Sequence, residues 1–221
     1  MELKLEHIYQ GRQSLSPSGD RTISMRDLRV TTIANLGATR DGYDCIDISN
    51  NEIRKLENFP LLPRLRTLIV AGNRISKISE DFATSLPNLT SLVLTGNNIT
   101  HLKDISPIFS ATKLERLSLL NNPVTALPNF RYYVLYRLPL LRFLNFSKVT
   151  NKEREMAASF FRTADGISML RELGYEFQDS DALNMGQDSI TPVLDKTNNV
   201  SSLLQIEERL LDSMSEMPSA T

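Results

Sequence analysis

The chain has 221 residues, 41% of them hydrophobic, with a single cysteine and a formal net charge of -1. That is enough apolar content for a folded core, too little positive charge for a general polyanion binder, and too few cysteines for an intramolecular disulfide or a Cys-based zinc cluster. The run MELKLEHIYQ has no apolar signal region, and no stretch approaches the ~20 apolar residues that cross a bilayer, so a soluble protein of a reducing intracellular compartment, without membrane contact, is expected.

In chain order, Ile23, Met25, Leu28, Val30 and Ile33 begin a pattern that then repeats in fuller form. Four copies match LxxLxLxxNxLxxL with apolar-for-apolar exchanges. The first places Ile46, Ile48, Asn51 and Ile53 in the template; the second Leu68, Val70, Asn73 and Ile75; the third Leu92, Leu94, Asn97 and Ile99; the fourth Leu117, Leu119, Asn122 and Val124. The asparagines are 22, 24 and 25 residues apart, inside the roughly 20–29-residue period of leucine-rich repeats. Leu141, Leu144 and Phe146 form a closing copy, with Val149 at the asparagine position. Degenerate ends are expected, because a terminal repeat has a neighbour on one side and must cap the core.

The reading is an α/β fold: a right-handed leucine-rich-repeat solenoid with a parallel concave sheet, capped by a C-terminal helix. In each LxL the two leucines share one face of a strand and the residues between and beside them share the other. Asn51, Asn73, Asn97 and Asn122 should form a buried structural ladder, their amides serving backbone groups that the turns leave unpaired. Segments 59–63, 82–87 and 105–109 read as loops or single-turn helices on the convex side. Arg131 to Leu138 has helical spacing. Thr150 and Glu153 fit a capping box, beginning a closing helix whose inward face would be Met156, Ala157, Phe160 and Phe161. The repeat domain is therefore drawn over 1–163. Residues 164–221 read as an acidic, largely disordered tail with a possible helix at 201–217, either transient or partner-docking.

Function should sit on the concave face, at Arg26, Asp47, Ser49, Thr67, Ile69, Ser91, Val93, Thr95, Arg116, Leu120 and Phe143. Small side chains leave room for a bulky guest such as a helix, and Ile69, Val93, Leu120 and Phe143 would form an apolar centre with a polar rim. No catalytic, metal or cofactor site is expected. The two histidines, His7 and His101, lie apart without acid or Cys at ligand spacing, and no phosphate-binding or nucleophile signature occurs. From 129 to 162 seven bases stand against two acids, and from 163 to 221 three bases stand against eleven. The bases Arg131, Arg137, Arg142, Lys148, Lys152 and Arg154 read either as a solvated face or as a phosphate-facing patch.

The runs NLGAT (35–39), IDISNNEIRKLENFPLLPRLRTL (46–68), LTGNNI, NNPVT and YYVLYRLPLLRFLNFSKVTNKERE (132–155) resemble the A-prime subunits of the U2 small nuclear ribonucleoprotein, over roughly residues 1–163. The resemblance implies a nuclear, non-enzymatic splicing scaffold. It implies a partner of the B-double-prime type, an RNA-recognition-motif protein with a helix in the concave face. It also implies joint binding of a U2 snRNA hairpin and contact with other spliceosome proteins, with Arg26, Lys148 and Lys152 as candidates for RNA-backbone contact. The make-up of the concave face need not follow the family, and the acidic tail argues against a basic, RNA-binding C-terminal extension. Similar short repeats with this cap also occur in regulatory subunits or adaptors of phosphatase and cytoskeletal complexes, which is the alternative reading.

Overall fold

The apolar pairs of the repeats become very short strands, because the chain must turn at the asparagine that follows each pair. A computed structural model describes residues 1–16 and 19–175. It runs α1 (Leu5–Tyr9), β1 (Arg12–Leu15), β2 (Arg21–Ser24), β3 (Cys45–Asp47), β4 (Lys55–Leu56), β5 (Thr67–Ile69), β6 (Lys77–Ile78), α2 (Phe82–Ser85) and β7 (Ser91–Val93). It continues with β8 (Arg116–Ser118), α3 (Phe130–Arg137), β9 (Phe143–Leu144), β10 (Ser147–Lys148), α4 (Asn151–Phe160) and α5 (Ala164–Glu172). The main sheet has the order β1-β2-β3-β5-β7-β8-β9-β10. Its pairings are parallel from β2 to β9, and β1 and β10 close the two ends antiparallel. A second, two-stranded parallel sheet, β4 with β6, lies in the return segments.

Register carries the template straight across the sheet. Ile23, Ile46, Leu68, Leu92, Leu117 and Leu144 are successive partners, each buried to 2% exposure or less. Burying such a side chain is worth about 1.5–3 kcal/mol, so the column is the spine of the core. The convex segments close it with Phe59, Phe82, Ile105 and Ile108. The third convex segment is a nine-residue 3₁₀ helix, Leu102–Ser110, longer than the single turn its proline suggested. Among the described residues, no helix is long and apolar enough to cross a membrane.

The asparagines tie each repeat to the one before it. Asn97 Nδ2 donates to its own Leu94 carbonyl at 2.9 Å and to Val70 of the preceding repeat at 3.0 Å, while Oδ1 accepts from Ile75 N–H at 2.9 Å. Asn73 and Asn122 repeat the pattern, reaching back to Ile48 and Ile53, and to Leu94 and Ile99. Asn51 reaches the opening repeat, donating to Met25 and accepting from Leu28 and Val30. Leu28 holds the asparagine position of that opening repeat, which has no repeat before it to tie to. The residue before each asparagine, namely Asn50, Gly72, Gly96 and Asn121, has φ between 56° and 69°. Glycine or asparagine suits that left-handed conformation. At Gly72 a Cβ would also come 2.6 Å from Asn50 Oδ1 of the neighbouring turn.

The ends of the solenoid differ from the sequence reading in three places. Phe146 is not in the core: Asn145 and Phe146 have φ of 53° and 62°, and they form the two-residue turn joining β9 to β10. Both positive angles match a type I′ hairpin turn, which throws the Phe146 ring outward at 70% exposure. Ala157 on α4 and Phe161 just past its end are buried with Phe160 beside them, but Met156 is 45% exposed. The boundary at 163 moves to Tyr175. Thr163 accepts from Gly166 N–H and starts α5, which buries Leu170. A Cβ on Gly166 would lie 2.2 Å from the Phe160 carbonyl, so glycine permits this sharp reversal.

Aromatic stacking fixes the cap. Phe161 packs on Tyr136 with ring centroids 4.6 Å apart and on Tyr133 at 6.3 Å, and Tyr133 meets Phe109 edge-on at 5.4 Å. The Arg137 guanidinium sits between Phe109 and Tyr175, 4.9 and 4.8 Å from the two rings. The rest of the expected tail, residues 176–221 with the possible helix at 201–217, lies outside the described residues.

Candidate functional site

The side of the sheet opposite the core column presents three rows, set by strand register. Thr22, Cys45, Thr67, Ser91, Arg116 and Phe143 are successive partners in the first, and Ser24, Asp47, Ile69, Val93 and Ser118 in the second. Arg26, Ser49, Ala71, Thr95 and Leu120 follow the strands as a third. The concave face is therefore floored by small side chains, with Ile69 and Val93 adjacent in its middle row.

A depression of about 240 Å³ lies toward the C-terminal end, lined by Ser91, Val93, Arg116, Ser118, Phe143 and Phe146 among others. Of the expected apolar centre it unites Val93 with Phe143. Ile69 lies beside it and Leu120 outside it. Arg116 stacks its guanidinium 5.7 Å from the Phe143 centroid, giving the pocket a cationic edge on an apolar wall. Phe146 was missed because the alternation of apolar residues placed it inward; its one signal was Asn145, a residue that tolerates the left-handed turn.

Other expected contact residues are engaged within the face. Ser49 is 2% exposed and so is unavailable to a partner, a correction that follows from its place where the chain dives toward the asparagine ladder. Asp47 accepts from Ser49 N–H at 2.9 Å and lies 3.7 Å from half-exposed Arg26. Thr95 and Ser118 share a hydroxyl hydrogen bond of 2.8 Å. Thr67, Ile69, Ser91 and Val93 remain partly accessible. Burial raises the Cys45 thiol above its ordinary pKa, so it remains protonated near neutrality.

The basic residues near the cap are mostly committed. Arg131 donates to Glu153 Oε1 at 2.8 Å, and Arg142 lies 3.6 Å from Glu115. Arg154 donates to the Pro139 and Leu141 carbonyls, and Arg137 is held between its two rings. Lys148 and Lys152 are exposed and in no ion pair among the described residues. Lys148 is the register partner of Phe143, so its charge flanks the depression. Arg26, at the far end of the sheet, is not brought near these lysines. Among the described residues no group of three or more His, Cys, Asp or Glu could hold a metal ion. His101 contacts Asp104 at 3.2 Å on the convex surface.

A curved parallel sheet with an asparagine ladder, a small-residue face and a helical cap defines a leucine-rich-repeat binding scaffold, and a leucine-rich-repeat family model matches residues 1–174. The chain is 44% identical over 173 residues to the probable U2 small nuclear ribonucleoprotein A′ of Drosophila melanogaster, covering 78% of this chain and 65% of that protein. It is 43% identical over 173 residues to the human U2 small nuclear ribonucleoprotein A′, covering 78% of this chain and 68% of that protein. The crystal structure of the Drosophila SNF/U2A′ complex contains a chain that superimposes with a TM-score of 0.75 at 46% identity, over 78% of this chain and 99% of that one. The chain belongs to the U2 small nuclear ribonucleoprotein A′ family.

Proposed function

We propose that the chain is a non-catalytic scaffold of the U2 particle, working in the nucleus in pre-mRNA splicing. Its concave face holds a helix of an RNA-recognition-motif protein of the SNF or B-double-prime type, and the pair binds a U2 snRNA hairpin. The observation that carries this reading is the apolar depression with its cationic edge, on a fold shared with a relative crystallised in complex with SNF. A helix is the right guest. Small floor residues admit a cylinder about 10 Å across, and Val93, Phe143 and Phe146 offer one desolvated anchor pocket.

RNA contact from this chain would be electrostatic and secondary. Lys148 and Lys152 offer mobile charges to phosphates, and Arg26 a third once it exchanges Asp47 for a phosphate. No exposed row of aromatic rings for stacking successive bases is present among the described residues, so sequence readout falls to the partner.

The test is immunoprecipitation of the tagged protein from its own cells, followed by sequencing of the bound RNA and identification of the bound proteins. Enrichment of U2 snRNA with an RNA-recognition-motif protein is expected. Recovery of phosphatase or cytoskeletal partners without small nuclear RNA would overturn the proposal.

A further inference from the structure

The two flanks of the solenoid handle charge in opposite ways. Where the chain enters the main sheet, Arg21, Asp44, Arg66, Thr90, Glu115 and Arg142 stand in one row, each joined to the last by an N–H to carbonyl bond. Charged members of that row alternate in sign. Arg64 pairs with Asp44 at 3.1 Å, and Arg142 lies 3.6 Å from Glu115.

The row on the return segments does not alternate. Lys55 of β4 and Lys77 of β6 are direct register partners, each four residues past its ladder asparagine. The short strands bury Leu56 and Ile78 and leave both lysines exposed. Arg54 precedes the first lysine, His101 holds the same place in the third repeat, and Lys103 follows it. Arg54, Lys55, Lys77 and Lys103 are exposed and in no ion pair among the described residues. Of the nearby acids, Glu52 is spent on Arg74 at 3.5 Å and Asp104 lies against His101, which leaves Glu57. Like charges on directly paired strands repel, so the lysine pair costs the fold stability that Leu56 and Ile78 must supply.

What such a row can hold follows from its surroundings. Segments 52–57, 74–79 and 98–103 expose no large apolar side chain, so they lack the desolvated anchor on which a protein partner's affinity depends. They also expose no aromatic ring on which a base could stack. Charge alone remains. Paired strands lie ~4.8 Å apart, within the sweep of flexible lysine stems reaching successive phosphates of one strand.

We propose that Arg54, Lys55, Lys77 and Lys103 form a second RNA surface, which holds the phosphate backbone of single-stranded RNA without regard to sequence. It lies on the two-stranded sheet of the return segments, not on the sheet that forms the concave face. It is also distinct from Lys148 and Lys152 at the cap. In a ribonucleoprotein family the strand at hand is RNA. The surface does not depend on what occupies the concave face.

The test uses the full chain without a partner, titrated by fluorescence anisotropy against labelled oligo-U and oligo-C RNAs of about 15 nucleotides. Wild type should bind both alike. At moderate salt, Lys55→Ala with Lys77→Ala should bind both about tenfold more weakly, and its slope of log affinity against log salt should fall by about 1.4. Its melting temperature should be no lower than that of wild type, because a repulsive pair has gone. Lys55→Arg with Lys77→Arg, which keeps the charge, should retain binding. Unchanged affinity and slope in the alanine pair, with any loss confined to Lys148→Ala with Lys152→Ala, would overturn the proposal. So would a loss seen for one RNA only, since the surface would then read bases. Tighter binding of a polyglutamate peptide than of either RNA would overturn it too, because the row would then fit an acidic protein segment.

Discussion

The side-chain oxygen of Asn145 lies 2.7 Å from the Leu119 N–H, where a further parallel strand would have offered a backbone carbonyl. In the preceding repeats the equivalent N–H groups of Ile48, Val70 and Leu94 donate to the carbonyls of Ile69, Val93 and Ser118 on the next strand. At β9 the chain turns back into a hairpin, so the amide of Asn145 stands in for the missing backbone acceptor and its positive φ makes the turn. The two jobs separate by mutation. Asn145→Ala loses both and should lower stability by about 1–3 kcal/mol. Asn145→Gly keeps the turn and should cost less, and Asn145→Asp keeps the acceptor and should cost least. Thermal unfolding of the three variants checks the order; Ala and Asp variants melting together would show that the bond to Leu119 is irrelevant.

An interior rung should be more demanding than this end. Asn97 donates to two carbonyls in two different repeats and accepts from a third backbone group, all buried. Asn97→Ala leaves these groups without a partner, with an expected loss of about 1–3 kcal/mol. Asn97→Asp should be worse, because an ionised oxygen would face the Val70 and Leu94 carbonyls. Chemical denaturation gives the comparison, and an Asp variant as stable as the Ala variant would mean that the rung rearranges.

At the concave face, Val93→Glu places a charge on the wall of the apolar depression, where a bound helix would bury it unpaired. Partner affinity should fall at least a hundredfold, with circular dichroism unchanged because Val93 is on the surface of the sheet. Ile69→Glu, outside the depression, should cost less. Titration of the SNF-type protein against both variants measures the difference, and full binding by the Val93 variant would place the guest elsewhere.

The legible part of this molecule is the part set by repetition. Six strand positions follow from an LxL pattern whose register any one asparagine confirms, and a buried amide is the cheapest way to close so tight a turn. The ends lack that redundancy. The sequence of α5 reads as tail because acidic residues and Gly166 break the apolar frame, although Leu170 is buried and Tyr175 lies against Arg137. The β9–β10 hairpin has Phe146 where glycine would have announced a turn. Pairing was equally hidden: spacing places six bases near the cap, and three-dimensional packing decides that Arg131, Arg137, Arg142 and Arg154 serve the fold.

The cap should weaken in acid through one carboxylate. Glu153 accepts from Arg131, from Thr150 N–H and from the Thr150 hydroxyl, and these donors, Arg131 first, lower its pKa from 4.5 to about 2. A lowered folded-state pKa means stability that is complete above the unfolded value and is lost as pH falls from about 4.5 toward 2. The melting temperature of wild type should therefore drop across that window more steeply than that of Glu153→Gln, which keeps a capping group but carries no charge. Parallel slopes would show that other carboxylates dominate.

Committed and uncommitted cations should behave differently toward RNA. Lys148 and Lys152 have no ion pair among the described residues, so each is free to neutralise a phosphate and release counterions. In a complex of this chain with the proposed RNA-binding partner, Lys148→Ala and Lys152→Ala should each reduce the slope of log affinity against log salt by about 0.7–0.9. The loss should be similar for different RNA sequences, since phosphate contacts carry no base identity. Arg131→Ala should leave that slope unchanged and lower the melting temperature instead, because its charge is spent on Glu153 at the α3–α4 contact. An unchanged slope in both lysine variants would remove the capped end of this chain from the RNA interface.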